Sequence, residues 1–594
     1  MCGIFGYSGT NQRAADLVLD GLKRLEYRGY DSWGVAVLPS SALASGSEIA
    51  LKKNVGKIGD GSAADLPEGT LALGHTRWAT HGGVTQLNAH PHLDCSGHIA
   101  VVHNGIFENY QLHKDALISK SHTFISETDS EVIAHVIEDL AKTMSFFEAV
   151  RAAFLDMAGL NALIAVNLAD RTLVAARNGS PLVLGFGENE NYIASDPAAL
   201  LVHTKDVYFL EDQEMAIVRA DSIEVFDAVS GRSKPFERQR LEWDSAQTEK
   251  GKYAHFMLKE IYEQPKVVAA IAASASVQTQ AVSNSLKAAT KVNLIGCGSA
   301  AHACQIGYYL LSKLAHKSVS WAVGSEFSYN ASARVQSGIV MALSQSGETM
   351  DILEPLKRVK QDGIKILALV NVLGSSLYRL ADEKILLGAG PERAVASTKA
   401  FTAKLAHLVL LAYAYDDRLA EGKTVVARAA EVIEHVLSET SVKAIHDLAV
   451  RLKNSAHMYC LGRGVSYPLA LEAALKIKEV SYIHAEGLAT GELKHGTLAL
   501  VEKGTPCLVF LPDDETFEAN LAGAMEVKAR GGYIVGIASK PQAVFDAFIE
   551  VPDAREATCI PNAVVAQLLA YYLTMEKGLD PDMPRNLAKS VTVK

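Results

Sequence analysis

KVNLIGCGSAAHACQIGYYLLSKL, residues 291–314, decides how most of this chain is built. An apolar run, Val292–Ile295, meets a Gly-Cys-Gly turn and then a long stretch with helical spacing of apolar residues, which predicts strand, turn and helix. The same grammar continues in GIVMALSQSGETMDILEPLKRVKQ (338–361) and KILALVNVLGSSLYRLA (365–381). Alternating βα units of this kind imply a parallel sheet covered by helices. About 165 residues further on, SAHMYCLGRGVSYPLALEAALKIKE (455–479) repeats the strand, G-x-G turn and long helix, and GTPCLVFLPDDETFEANLAGAMEVKARGG (504–532) echoes the second unit. Two tandem copies of one doubly wound α/β domain are expected, over 285–425 and 448–575.

Upstream, to about residue 225, the chain has short β-like segments such as TLALGHTRWAT, HIAVVHNGIF, NALIAVNLA and RTLVAARNGS, punctuated by Gly, Asn and His. The charged stretch RSKPFERQRLEWDSAQTEKGKYAHFMLKEIYEQP (232–265) lies within an expected linker and connecting helix, 226–284. The end, GLDPDMPRNLAKSVTVK, is too polar and turn-rich for a core helix, so 576–594 is expected to be a tail.

At 594 residues the chain exceeds one core. Its 49% hydrophobic and 21% charged residues are those of a globular protein, and a net charge of -10 argues against nucleic acid as partner. No apolar run of about 18 residues predicts a membrane span, and MCGIFGYSGTNQ lacks the pattern of a signal peptide. The seven cysteines are scattered without a CxxC pair, which fits no usual zinc spacing and suits a reducing, cytoplasmic setting.

Several motifs carry chemistry. Cys2 would become the N-terminus on loss of Met1, placing an α-amine of pKa about 7.7–8.0 beside a thiol of about 8.5, a base next to a nucleophile. G-C-G-S-A-A approximates a dinucleotide fingerprint, but no acidic residue stands about 20 positions on, which argues against nucleotide. LSQSGET groups Ser344, Gln345, Ser346 and Thr349 between strand and helix; four polar groups around a glycine exceed what helix capping needs and suit a phosphate. VASTKAF adds hydroxyls beside Lys399. Lys476 and Glu479 are three apart on a helix and share a face, within a charged segment whose apolar alternation indicates partial burial. Arg77 could clamp a carboxylate, and Asn104 with the Gly105 backbone could bind an oxyanion. His75, His81, His90, His92 and His103 fit no zinc pattern and read as structural histidines; no metal is expected.

Taken together, MCGIFGY, LEYRGYDS, HTRWATHG, NAHPH, HNGIFEN, SETDSE, SQSGET, VASTKAF, LKHG and PRNLAKSVTV closely resemble the glucosamine-6-phosphate synthase family, the isomerising glutamine–fructose-6-phosphate aminotransferases, over essentially the whole chain. The resemblance implies an N-terminal-nucleophile glutaminase domain of αββα type over 1–225, followed by the two sugar-isomerase domains and an active-site tail. It implies glutamine and fructose 6-phosphate as substrates, glucosamine 6-phosphate as product at the first step of hexosamine synthesis, no cofactor, and a homodimer. Cys2 would be the glutaminase nucleophile. Arg77 would hold the glutamine carboxylate and Asp129 its amine; Asn104 and Gly105 would bind the oxyanion, and Thr80 and His81 would line the pocket. Trp78 would gate an ammonia channel, with Arg28 in the same interdomain region. Ser344, Gln345, Ser346 and Thr349 would bind the sugar phosphate, with Ser299 and Ser397 as further contacts and Lys476 and Arg585 as supporting charge. Lys589 would form a Schiff base with the ketone, His495 from the neighbouring subunit would open the ring, and Glu479 would move a proton between C1 and C2. Ala300 and Thr497 depart from the family pattern, which usually has serine and proline there. A different glutamine-dependent transferase, or a sugar-phosphate deaminase working on free ammonia, would keep only one half in working order, and a sugar-phosphate-binding regulator would lack Glu479, His495 or Lys589; all three are present.

Overall fold

The computed structural model describes residues 2–40, 48–243, 245–275, 277–329 and 338–590. It divides into two compact units: Met1–Thr248 with the last residues from Ala588, and Glu249–Leu587. Among the described residues no helix is long and apolar enough to cross a membrane.

The first unit has four layers. Strand Gly3–Ser8 lies inside an eight-stranded sheet, paired antiparallel with Leu71–Arg77 and Asn191–Ala194. Side chains alternate along it as the pleat requires. Phe5 and Tyr7 pack on helix Ala14–Leu25, while Ile4 joins the core against a second, six-stranded sheet. That sheet carries Ile99–Gly105, and helices Asp129–Ala141 and Phe146–Asp156 cover its outer face. The order helix, sheet, sheet, helix is the αββα arrangement expected. Strand Gly3–Ser8 is buried along its whole length, so the residue just before it, Cys2, is held at the end of a rigid element.

The second unit holds two five-stranded sheets whose strand pairs are all parallel. Numbered within each repeat, both have the order 2-1-3-4-5. Central strands such as Ile339–Ser344 and Pro506–Leu511 are buried throughout, because helices cover both faces. Helices Lys399–Tyr415 and Cys559–Glu576 are apolar nearly all round, and one continuous core runs from Met257 to Leu573 through both repeats. The repeats are two sheets on a shared core.

Three expected boundaries move. Strand Ile223–Asp227 straddles residue 225, and Gln239–Arg240 pairs with Asp206–Phe209, so the first unit reaches Thr248. The connecting helix expected within 226–284 is present as Phe256–Ser274; it is followed by Val277–Ala288, and both pack into the core of the second unit. Residues 425 and 448 fall within helices Leu419–Val436 and Glu439–Leu452. Charge and turn residues marked an irregular-looking sequence here, but long-range strand pairing and packing absorb it.

Candidate active sites

One pocket of the first unit is lined by Cys2, Arg77, Trp78, Thr80, His81, Gly105 and Asp129, together with His90, His103, Thr128 and Ser130. Residues far apart in the chain meet because strands Gly3–Ser8, Leu71–Arg77 and Ile99–Gly105 all end or begin there. Trp78 N donates to Cys2 Sγ at 3.2 Å, and the thiol reaches Trp78 O at 3.6 Å. Burial pushes the Cys2 thiol up; the Trp78 hydrogen bond and the nearby Arg77 and Arg28 pull the other way without cancelling it. A thiol so placed needs a base to become a nucleophile.

Asn104 is 3% exposed, and its Nδ2 donates to Cys2 O at 3.0 Å. Its Oδ1 lies 3.1 Å from His75 Nε2, which fixes the amide with its N–H side toward Cys2. Gly105 follows at φ 143°, where a Cβ would lie 2.2 Å from Leu160 O, so only glycine fits. Asp129 begins helix Asp129–Ala141, where the helix dipole favours its charge, and accepts from Phe107 N at 2.8 Å. Arg77 turns much of its guanidinium to the following loop, donating to Gly83 O at 3.0 Å, Gly82 O at 3.2 Å and His81 O. It braces the pocket wall as well as lining the pocket.

Arg28, expected at the gate with Trp78, is only 5% exposed within this unit. Its Nε donates to Cys2 O at 3.3 Å and Nη1 pairs with Asp196 at 3.1 Å, so it holds the Cys2 backbone. Three supports escaped the sequence reading: Thr76 Oγ1 accepting from Gly3 N at 3.1 Å, Ser195 Oγ accepting from Ile4 N at 3.0 Å, and Asp196. No local pattern marks them.

Four buried histidines surround this site. Burial lowers His75 to about 3, puts His90 and His92 well below the usual value, and also lowers His103. A group whose folded pKa is depressed contributes stability that is full above its unfolded pKa, about 6.5, and lost as pH falls below it. Unfolding at pH 6 is expected to take up protons at these sites, because an unfolded histidine is mostly charged there. Calorimetry in two buffers of different ionisation enthalpy measures this; an uptake below about one proton would refute the assignment.

In the second unit, Ser344 ends strand Ile339–Ser344 and Ser299 begins helix Ser299–Leu314, which follows the neighbouring strand Val292–Gly296. These strand ends flank the point where strand order reverses, the crevice that binds ligands in open α/β sheets. Ser344 Oγ accepts from Gly347 N at 3.0 Å and Ser346 Oγ from Glu348 N at 3.2 Å. Gly347, at φ 69°, packs so closely on Ser375 that a Cβ would lie 2.1 Å from its Oγ. Thr349 precedes helix Met350–Gln361 without making a side-chain cap bond, so capping does not account for it. The corresponding loop of the second repeat carries Asp513, Asp514 and Glu515, which repel phosphate.

Helix Ser466–Ser481 lines up Glu472, Lys476 and Glu479 on one face. Lys476 is 1% exposed, 2.6 Å from Glu479 and 3.7 Å from Glu472. Glu472 also accepts from Ser299 Oγ at 2.8 Å and meets His302 Nδ1 at 2.8 Å. Burial works against the Lys476 charge, but Glu479 and Glu472 outweigh it and raise its pKa, with Glu392 adding to the effect. Glu392 accepts from Ser397 Oγ at 3.3 Å, so the field that holds Lys476 charged reaches the Ser397 loop. Glu472 and His302 escaped the sequence reading; for Glu472 the i, i+4, i+7 spacing with Lys476 and Glu479 was the available signal.

Arg585 packs over the Tyr482 ring at 4.2 Å, and its backbone N–H donates to the Tyr482 hydroxyl at 2.7 Å. His495 is exposed at the end of a 3₁₀ turn, Thr490–His495, and no described contact joins it to the Glu472–Lys476–Glu479 set. Gln345 sits in the Ser344–Thr349 loop, its carbonyl accepting from Asn371 N at 3.3 Å. Lys589, half-buried, belongs to the stretch from Ala588 that groups with the first unit.

Residues 75–202 match a glutamine amidotransferase domain, and 285–414 and 451–577 match the SIS domain. A curated relative from Pyrococcus horikoshii named glutamine–fructose-6-phosphate aminotransferase [isomerizing] is 42% identical over 609 residues, covering 100% of both chains. Its namesake from Thermus thermophilus is 41% identical over 616 residues with the same coverage. Among solved structures, the C-terminal domain of glucosamine-fructose-6-phosphate aminotransferase from Francisella tularensis matches 56% of this chain and 99% of its own, at 32% identity and TM-score 0.53. Tagatose-6-phosphate ketose/aldose isomerase from Escherichia coli, at 18% identity and TM-score 0.50 over 56% of this chain and 95% of its own, shares the fold. With two-fifths identity along its entire length to relatives of one name, the chain belongs to the isomerising glutamine–fructose-6-phosphate aminotransferase family.

Proposed function

We propose that the protein makes glucosamine 6-phosphate from fructose 6-phosphate, using ammonia released from glutamine in its first unit. The observation that carries this reading is the single pocket gathering Cys2, Arg77, Thr80, His81, Gly105 and Asp129, in a chain that also holds two SIS repeats. Cys2 attacks the glutamine amide with its own α-amine as base, once Met1 is removed. Asn104 Nδ2 and the Gly105 N–H receive the oxyanion, and water cleaves the thioester. Arg77 and Asp129 take the substrate's carboxylate and amine, with Thr80 and His81 at the wall. Trp78 gates the passage of ammonia, and Arg28 keeps the nucleophile's backbone in register with it.

In the second unit the Ser344–Thr349 loop takes the phosphate at the switch point, and Ser299 and Ser397 contact the sugar. Lys589 forms the Schiff base at C2, ammonia displaces it, and Glu479 carries the proton between C1 and C2. Lys476 holds the Glu479 carboxylate in place at 2.6 Å, and Arg585 adds charge. An assay with amide-¹⁵N-glutamine and fructose 6-phosphate tests the whole: label at the C2 amine supports it, and glutamate without labelled aminosugar refutes it.

His495 serves the site of a second copy in a homodimer, and its exposure in the single chain supports this reading. Lys589→Arg and His495→Ala chains, each inactive for aminosugar, are expected to regain about a quarter of the wild-type rate after mixed refolding, because only one site in a hybrid dimer is complete. No recovery would place His495 in its own chain's site.

A further inference from the structure

Away from the glutaminase pocket, four side chains of the first unit converge. Cys95 lies in the turn between strands His92–Leu93 and Ile99–Gly105, His122 lies before helix Asp129–Ala141, and His135 and Glu138 are three apart on that helix. Cys95 Sγ is 3.6 Å from His122 Nδ1 and 3.4 Å from His135 Nδ1, and the two nitrogens are 3.5 Å apart. Glu138 Oε2 is 3.1 Å from His122 Nδ1 and 3.3 Å from His135 Nδ1. All four ligand atoms lie within 4.8 Å of one another. A tetrahedral zinc ion with Zn–N about 2.05 Å and Zn–S about 2.3 Å requires edges of about 3.3–3.6 Å between its ligand atoms. Four of these five edges fall in that range, and the Glu138–His122 edge, at 3.1 Å, is slightly shorter.

The outer nitrogens strengthen the case. His122 Nε2 faces Asp139 at 3.8 Å, and His135 Nε2 faces Glu131 at 3.6 Å. At these distances the carboxylates are charge partners rather than hydrogen-bond acceptors, standing where a carboxylate backs a metal-bound histidine. Both histidines are buried, while Cys95 opens to solvent and offers a way in.

We propose that Cys95, His122, His135 and Glu138 bind one transition-metal ion of the zinc class in a four-ligand site. The Cys95 thiol gives its proton to solvent on binding; thiolate and carboxylate then balance the 2+ charge, and no electron is transferred. The ion ties the turn before strand Ile99–Gly105 to helix Asp129–Ala141. That strand ends in Asn104 and Gly105, and the helix begins with Asp129, so the clamp buttresses both sides of the glutamine pocket from behind.

The test uses the full chain, stripped with a strong chelator, reloaded with Zn²⁺ and gel-filtered. One zinc per chain is expected, and Co²⁺ in its place should show a thiolate-to-cobalt charge-transfer band with the visible absorption of a tetrahedral ion. In competition with a chromophoric chelator, Cys95→Ser and His135→Gln should bind zinc more than about a hundredfold more weakly, since even outer partners are worth about 10–100-fold. Cys2→Ala should still hold one zinc. Circular dichroism of the stripped proteins separates lost ligation from misfolding, and should Cys95→Ser fail to fold, Glu138→Gln carries the test. Substoichiometric zinc after reloading, or equal affinity in wild type and the ligand variants, would overturn the proposal.

Discussion

Replacing Cys2 with alanine is expected to lower glutamine hydrolysis by at least about 10⁴-fold, the scale of losing a covalent nucleophile. Aminosugar formation from high ammonium should remain within a few fold of wild type. The reason lies in how little else the thiol does. Its described hydrogen bonds go to the Trp78 backbone alone, and strand Gly3–Ser8 is held independently by its pairing and by Thr76 and Ser195. Losing one such bond costs about 1 kcal/mol, so the pocket should keep its shape. Glutamate release and ammonium-dependent synthesis, measured on the same preparation, decide the matter. Loss of both activities together would deny two separable sites, and near-normal glutamate release would deny the role of Cys2.

The second large effect concerns Lys476. In Lys476→Met, Glu472 and Glu479 lose the cation between them while remaining largely buried. Breaking one partner out of a buried ionic set costs about 3–5 kcal/mol. Glu479, the base of the proposed isomerisation, then loses the ammonium that holds its carboxylate in place at 2.6 Å. Urea unfolding followed through the second unit should show the destabilisation, and aminosugar formation should fall at least about a hundredfold, the scale of losing a positioned general base. Basal glutamine hydrolysis should persist. The double variant Lys476→Met/Glu479→Gln should recover much of the stability and none of the synthesis. An unchanged unfolding midpoint in the single variant would mean that the set carries no net energy.

The local grammar of the chain was legible because each repeat states its period openly. Apolar strand, Gly turn and helical spacing followed one another at 291–314 and again at 455–479, and both sheets have the same strand order. Around Gly347, Ser344 and Ser346 accept from the turn's own N–H groups, while Thr349 makes no side-chain cap bond. The shared face of Lys476 and Glu479 followed from helical spacing alone.

What required the tertiary structure were meetings between distant segments. Ser195 lies 191 residues from the strand backbone it supports, and Glu472 lies 173 from Ser299. Arg28 became a buried partner of the Cys2 carbonyl, and residues 226–248 joined the first unit through strand pairing. Cys95, His122, His135 and Glu138 are spaced unlike any zinc motif, yet a turn, a loop and one helix face bring them together. Periodicity tells each residue which face of its own element it occupies, and that much the sequence determined by itself. Which faces then share a point depends on how sheets and helices stack, because burying apolar area is non-directional and leaves no local mark on the polar residues it carries inward.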